Sequence, residues 1–179
     1  MSKIFLIGFM GSGKSFVGQQ LAAKLGYGFI DVDTLIENTE GSKIAQIFEN
    51  HGETHFRKIE SEYTRRLEEL ENTVISTGGG APCFHDNMTW LNANGTTIYL
   101  SAPPELLYKR LKNEGENRPV LRGRTEADLL EFIENKIAER TKFYSAAHIT
   151  IHQTADGEQV LMDILTALKK EAAFENGLF

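Results

Sequence analysis

Three observations predict an α/β fold of three layers, with helices on both faces of a five-stranded parallel sheet. Short apolar runs alternate with helical stretches along the chain. A glycine-rich loop follows the first run and opens the first helix. Three stretches dense in glycine or charge each fall where a predicted strand ends. Strand–helix alternation favours a parallel sheet, because each crossover lays its helix back on the sheet with one handedness. Ligands of such sheets gather beyond the C-terminal strand ends, so the three stretches are expected to form one site.

The elements follow in order. Lys3 to Ile7 is apolar and partly β-branched, as a buried strand should be. Ser15 to Leu25 carries Val17, Leu21 and Leu25 at helical spacing, with Gly26 as a stop. Gly28-Phe29-Ile30 is a second short strand ending at Asp31-Val32-Asp33. Thr34 to Asn50 reads as one or two short helices broken near Gly41-Ser42, with Ser42 as N-cap. Glu53 to Leu70 is a long charged helix. Val74-Ile75-Ser76 is a third strand that runs into Gly78-Gly79-Gly80, and Thr97 to Leu100 is a fourth. Pro103-Pro104 starts a helix that reaches about Leu111. Lys112 to Arg124, rich in Gly, Asn, Arg and Lys without apolar period, reads as a mobile loop. Glu126 to Tyr144 is helical, Ile149 to Ile151 is a fifth strand, and Gly157 to Ala173 is a last helix.

Composition narrows the function. The 179 residues suggest one domain. A net charge of −6 argues against a general nucleic-acid or membrane-surface binder. Cys83 is the single cysteine, so no internal disulfide forms and a reducing, cytoplasmic compartment is expected. The apolar run near the N-terminus is too short for a membrane span and does not read as a signal peptide. No surface for self-association is visible, so a monomer is the default.

Gly8-Phe9-Met10-Gly11-Ser12-Gly13-Lys14-Ser15 reads G-x-x-x-x-G-K-S, a phosphate-cradling P-loop in its required strand–helix context. Backbone N–H groups of the loop can turn inward around an anion, and the helix adds its positive end. Lys14 can reach the β- and γ-phosphates of a nucleotide, and Ser15 can offer its hydroxyl to Mg2+. Asp31 and Asp33, two apart at the end of an extended run, would point to one face. One could hold Mg2+ or its waters while the other contacts an acceptor hydroxyl. The plainer reading is a helix N-cap at Asp33; beside a P-loop the site reading is favoured. Ser76 occupies the end of the third strand, where many P-loop proteins keep a carboxylate for the metal, which makes Asp31 the metal partner.

Gly78-Gly79-Gly80 lets backbone approach a ligand closely. Arg57 and Glu60 share a helical face at i, i+3. They form either a solvated ion pair or a device in which Glu60 positions Arg57 to fork onto a substrate carboxylate, with Arg140 converging on the same anion. Spacing alone does not choose. Arg118-Pro119, with Arg122 and Arg124, is either a solvated charge run or a lid whose arginine closes over the γ-phosphate. His51 and His55 stand at i, i+4 without an evident third ligand for zinc.

These stretches together resemble the shikimate kinases, P-loop kinases related in fold to the nucleoside monophosphate kinases. The likeness runs nearly end to end: Ile4 to Ser15; Phe29 to Asp33; Ile47-Phe48, then Gly52 to Glu60; Ser76 to Ala81; Arg118-Pro119-Val120-Leu121; and Arg140 four residues before Tyr144. The resemblance implies Mg-dependent transfer of the ATP γ-phosphate to the 3-hydroxyl of shikimate, in aromatic amino-acid biosynthesis. It implies a substrate-binding helical region over about 34–61 and a lid over about 112–124. Asp33 would contact the reacting hydroxyl as base or orienting group. Arg57, Arg140 and Gly78, Gly79 and Gly80 would hold shikimate, the arginines on its carboxylate. Gly11, Ser12, Gly13, Lys14, Ser15 and Phe16 would bind ATP, with Arg110 beside the adenine and Arg118 the lid arginine. Phe16 stands where the family usually has Thr, and the C-terminal adenine contact near Gln153 is weakly matched.

Overall fold

Strand β1, Lys3–Ile7, is buried at every residue because it is the central strand of the sheet. The computed structural model describes residues 3–112, 125–154 and 157–175. Around β1 stand β2 (Gly28–Asp31), β3 (Thr73–Ser76), β4 (Thr96–Ser101) and β5 (Ile149–His152), in the order β2-β3-β1-β4-β5. Every pairing is parallel. The chain passes from β3 across β1 to β4, so the sheet reverses its direction of winding beside β1, the place where a crevice opens at the strand ends.

Among the described residues seven α-helices complete the layers: α1 Lys14–Leu25, α2 Val32–Glu40, α3 Ile44–Arg65, α4 Asn87–Asn94, α5 Pro104–Leu111, α6 Glu126–Tyr144 and α7 Gly157–Glu175. The two-residue period of the strand divides the core. Phe5 and Ile7 pack with Val32, Ile36, Phe56, Ile59, Leu91 and Tyr144 from α2, α3, α4 and α6. Ile4 and Leu6 point the other way, to Val17 and Leu21 of α1 and Val160, Leu161 and Ile164 of α7. Full burial of a side chain such as Phe5 or Leu6 stabilises the fold by roughly 1.5–3 kcal/mol. A third cluster, Phe9, Leu107, Leu111, Leu129 and Ile133, seats α5 and α6 beneath the loop after β1.

Two local expectations are corrected, and one helix is added. The chain does not stay extended through Asp33: α2 begins at Val32, Asp31 is its N-cap, and the Asp31 carboxylate accepts from Thr34 N at 3.1 Å. Asp33 therefore lies in the first turn of α2, and the two carboxylates are not strand neighbours. Gly41 ends α2 in a left-handed conformation, but the N-cap of α3 is Lys43 rather than Ser42. The Gln46 side chain accepts from both Lys43 N and Ser42 Oγ, at 3.1 Å each. Gly52 then takes φ 79°, ψ 171°, which breaks α3 and restarts it at Glu53. The added helix is α4, which no spacing or cap in the sequence announces. Its asparagines are weak helix formers, and tertiary contacts compensate: Ser61 Oγ donates to Asn87 Oδ1 at 2.7 Å and Asn87 Nδ2 to Ala81 O at 2.9 Å.

Candidate active site

The loop from Gly8 to Ser15 joins β1 to α1. Gly11 and Gly13 sit at φ 77° and 84°, angles a Cβ resists. Gly13 caps α1 without a side-chain acceptor, and no acidic residue occupies the first turn. The leading N–H groups of α1 thus meet no carboxylate of their own, which suits an anion. The buried Lys14 ammonium folds back across the loop, donating to Gly8 O at 2.9 Å and Phe9 O at 3.0 Å.

Three oxygen-bearing side chains meet at the ends of β2 and β3 beside α1. Asp31 and Ser76 face each other in the parallel register. Ser15 Oγ donates to the Asp31 carboxylate and lies 3.4 Å from Ser76 Oγ. Hydroxyl and carboxylate oxygens are the donors that a hard divalent cation takes.

The opposite side of the site is assembled from α2, α3, α6 and the loop after β3. Thr77 N and Oγ1 both donate to Leu6 O at 3.1 Å, tying the loop to β1 just before the glycines. A Cβ on Gly78 would collide with Glu60 Oε1 and come within 2.9 Å of Asp33 Oδ1; one on Gly80 would reach the Arg57 guanidinium at 2.6–2.8 Å. Only bare backbone fits between these groups. Gly79 O accepts from Tyr144 Oη at 2.6 Å and from Arg140 Nη1 at 3.3 Å, so α6 is anchored on the same loop.

Arg57 is 8% exposed. Its Nη1 donates to Glu60 Oε2 at 2.8 Å, and its Nε and Nη2 both reach Glu53 Oε1, at 3.2 and 3.1 Å. The rings of Phe84, Phe56 and Phe48 lie 4.7, 5.2 and 5.8 Å from its Cζ. Glu60 is 1% exposed, and its Oε1 has no hydrogen-bond partner. Burial lifts its carboxyl to about 7, outweighing the Arg57 guanidinium, which pulls the other way. Burial also pushes up the Cys83 thiol and holds the Tyr144 phenol protonated. A thiol raised in this way is a poor nucleophile.

On the far side of the P-loop, Arg110 Nη1 donates to Gly11 O at 3.0 Å and to Gln153 Oε1 at 3.2 Å. Gln153 Nε2 donates in turn to Ser12 O at 2.8 Å. Phe16 is 61% exposed near the start of α1. The His51 and His55 rings lie tilted against each other, with centroids 4.8 Å apart. Arg118, Arg122, Arg124 and all but the first residue of the expected lid lie outside the described residues.

The structure therefore gathers Lys14, Ser15 and Asp31 on one side of the crevice, and Asp33, Arg57, Gly78, Gly79, Gly80 and Arg140 on the other. Sequence reasoning passed over Glu53, Phe84 and the anchoring role of Tyr144 on the Gly79 carbonyl. Glu53 had a readable signal, one helical turn before Arg57. The other two depend on contacts across elements.

A model of the shikimate kinase family matches residues 10–169. The shikimate kinase of Parabacteroides distasonis is 45% identical over 175 residues, covering 95% of this chain and 99% of that one. Among solved structures, a shikimate kinase from Bacteroides thetaiotaomicron superposes with a TM-score of 0.88 at 36% identity, over 94% of this chain and 98% of that one. One from Acinetobacter baumannii, in complex with shikimate, gives 0.86 at 34% identity, over 96% of this chain and 94% of that one.

Proposed function

The chain belongs to the shikimate kinase family and is a kinase that phosphorylates shikimate with ATP; from that premise we propose how its own residues divide the work. The observation that carries the assignment is the convergence of Arg57, Glu60, Asp33 and Arg140 on the Gly78–Gly80 backbone, beside a P-loop. A small hydroxylated carboxylate needs cations for its anion, a carboxylate for its hydroxyl and bare backbone for close approach.

On the donor side, the P-loop N–H groups of Gly11, Ser12 and Gly13, with Lys14, hold the ATP phosphates; Ser15 and Phe16 continue that contact along α1. Arg110 borders the adenine, a reading supported by its link through Gln153 to the loop. The Ser15, Asp31 and Ser76 oxygens fit Mg2+, with Ser15 as ligand and Asp31 acting through water. Held there, Mg2+ would supply neutralisation of negative charge on the nucleotide phosphates.

On the acceptor side, Arg57 and Arg140 take the shikimate carboxylate, Gly78, Gly79 and Gly80 line the ring, and Asp33 accepts a hydrogen bond from the 3-hydroxyl. That oxygen forms a bond to the γ-phosphorus, the bond from the γ-phosphorus to the β-phosphate bridging oxygen breaks, and the hydroxyl proton passes to Asp33. ADP leaves and shikimate 3-phosphate remains. Arg118 and the 112–124 lid would close over the γ-phosphate, and residues 34–61 act as the substrate-binding region. Such a transfer depends on positioning and charge neutralisation more than on covalent catalysis.

The same reading places the enzyme in the cytoplasm as a monomer acting on small molecules, apart from nucleic acid and membrane. The net charge of −6 disfavours polyanions. No described helix is long and apolar enough to cross a membrane. The test is ADP release with Mg-ATP in the presence of shikimate, quinate, gluconate or nucleoside monophosphates. Stimulation by shikimate with detection of shikimate 3-phosphate is expected; stimulation by another acceptor alone would overturn the assignment.

A further inference from the structure

Arg57 divides its guanidinium between two carboxylates of its own helix. Glu60 is buried and takes Nη1 at 2.8 Å. Glu53, four residues before Arg57, has a side chain 57% exposed and spans Nε and Nη2 with a single oxygen at 3.2 and 3.1 Å. The Nε–Nη2 edge is one on which a guanidinium forks onto a carboxylate. The other approaches are crowded by Glu60, by the Gly80 backbone and by the rings of Phe48, Phe56 and Phe84. The edge nearest solvent is thus occupied by a carboxylate of the protein itself.

We infer that Glu53 is a displaceable stand-in for the carboxylate of the acceptor. This inference rests on the reading of Arg57 as the acceptor's carboxylate ligand. In the substrate-free site Glu53 keeps a nearly buried guanidinium paired, since an unpaired buried cation is costly. When shikimate enters, its carboxylate takes the Nε–Nη2 edge and Glu53 swings into water. The Glu53 carboxylate is 57% exposed and returns to water with little rearrangement, while the incoming anion keeps the guanidinium paired, so the exchange is cheap for an anion. A neutral polyol cannot make the exchange, because it would replace a charge-assisted contact with a weaker one. Glu53 is therefore a specificity residue that admits carboxylates and holds out their uncharged analogues.

The test is steady-state kinetics of Glu53→Gln and Glu53→Ala, each also in an Arg57→Ala background. The KM for shikimate is expected to fall about two- to fivefold in both single variants, the range of a pair with one exposed partner, while the KM for ATP stays put. In the Arg57→Ala background the Glu53 effect should vanish. If the fall persists there, Glu53 acts only as a distant negative charge and the stand-in is wrong. An unchanged or raised KM in the single variants, with Arg57→Ala still weakening shikimate, overturns the stand-in and leaves the Arg57 reading intact. If Arg57→Ala leaves the KM for shikimate unchanged, both readings fall together. Should Arg57→Ala not fold, Arg57→Gln removes the charge while keeping more of the side chain and serves the same comparison.

Discussion

The two sides of the crevice are built by opposite means. The phosphate side is local: Gly8 to Ser15 form one continuous turn between β1 and α1, and most of what it presents is backbone. The side proposed for the acceptor is a composite, with Asp33 from α2, Arg57 and Glu60 from α3, Arg140 and Tyr144 from α6, and Gly78–Gly80 from the loop after β3. A ligand common to many enzymes can be held by a short motif that travels whole. A ligand that must be told from its analogues needs side chains from several directions, each fixed by its own packing. Gly79 joins the two sides, since its carbonyl anchors α6 while a Cβ there would press on Met10 N at 3.0 Å and Gly8 O at 3.4 Å.

The largest effect expected from breaking this division is at Asp33. Asp33→Asn should retain ATP binding and lose about 10²- to 10⁴-fold in kcat, the range of a positioned proton acceptor. Near-normal turnover, with binding measured by nucleotide fluorescence, would remove Asp33 from the reaction. Next comes Arg57→Ala, for which the KM for shikimate should rise about ten- to a hundredfold while the KM for ATP holds. That range follows from about 1.5–3 kcal/mol for a charged hydrogen bond. A matching rise in the KM for ATP would erase the separation between the sides.

The glycine loop sharpens the comparison further. Gly80→Ala puts a methyl against a guanidinium hemmed in by rings and carboxylates, so the KM for shikimate should rise by about tenfold, an overpacking effect. Gly79→Ala meets P-loop backbone instead and should raise the KM for both substrates by about threefold, the mild end of the same effect. Equal selectivity in the two variants would show that Gly79 does not bridge the sides.

The smallest effect on turnover is expected at Glu60, whose signature is in stability. Its carboxyl titrates near 7 when folded, above its ordinary value of 4.5, so the folded state binds the proton more tightly than the unfolded chain. The resulting stabilisation is full below about 4.5 and lost as pH rises through about 7. Glu60→Gln should flatten that slope in urea unfolding between pH 4.5 and 7. A slope equal to that of the unmodified protein would show that Glu60 is not the group responsible.

The P-loop, the five strands and helices such as Glu126–Tyr144 were legible because each is encoded by neighbours: a fixed spacing, an alternating face, a cap. Asp31 and Asp33 show the margin. Their placement at a strand end was readable, but which one caps α2 depended on where the chain left the sheet, and β2 ends at Asp31. The α4 helix was not legible, because its asparagines are held by Ser61 and Ala81 rather than by helix propensity.

By itself the sequence determined the order of elements, the anion-binding turn and a short set of charged and glycine residues, all consequences of local backbone preference and side-chain period. Tertiary structure alone decided that Arg57 and Glu60 are not a solvated ion pair. An i, i+3 pair with Glu60 is worth little on a solvated helix; here the Gly80 backbone, the rings of Phe48, Phe56 and Phe84, and burial of Glu60 take water away from it. Charge withdrawn from water interacts strongly and over a defined geometry, and spacing along a chain cannot say where water will be excluded.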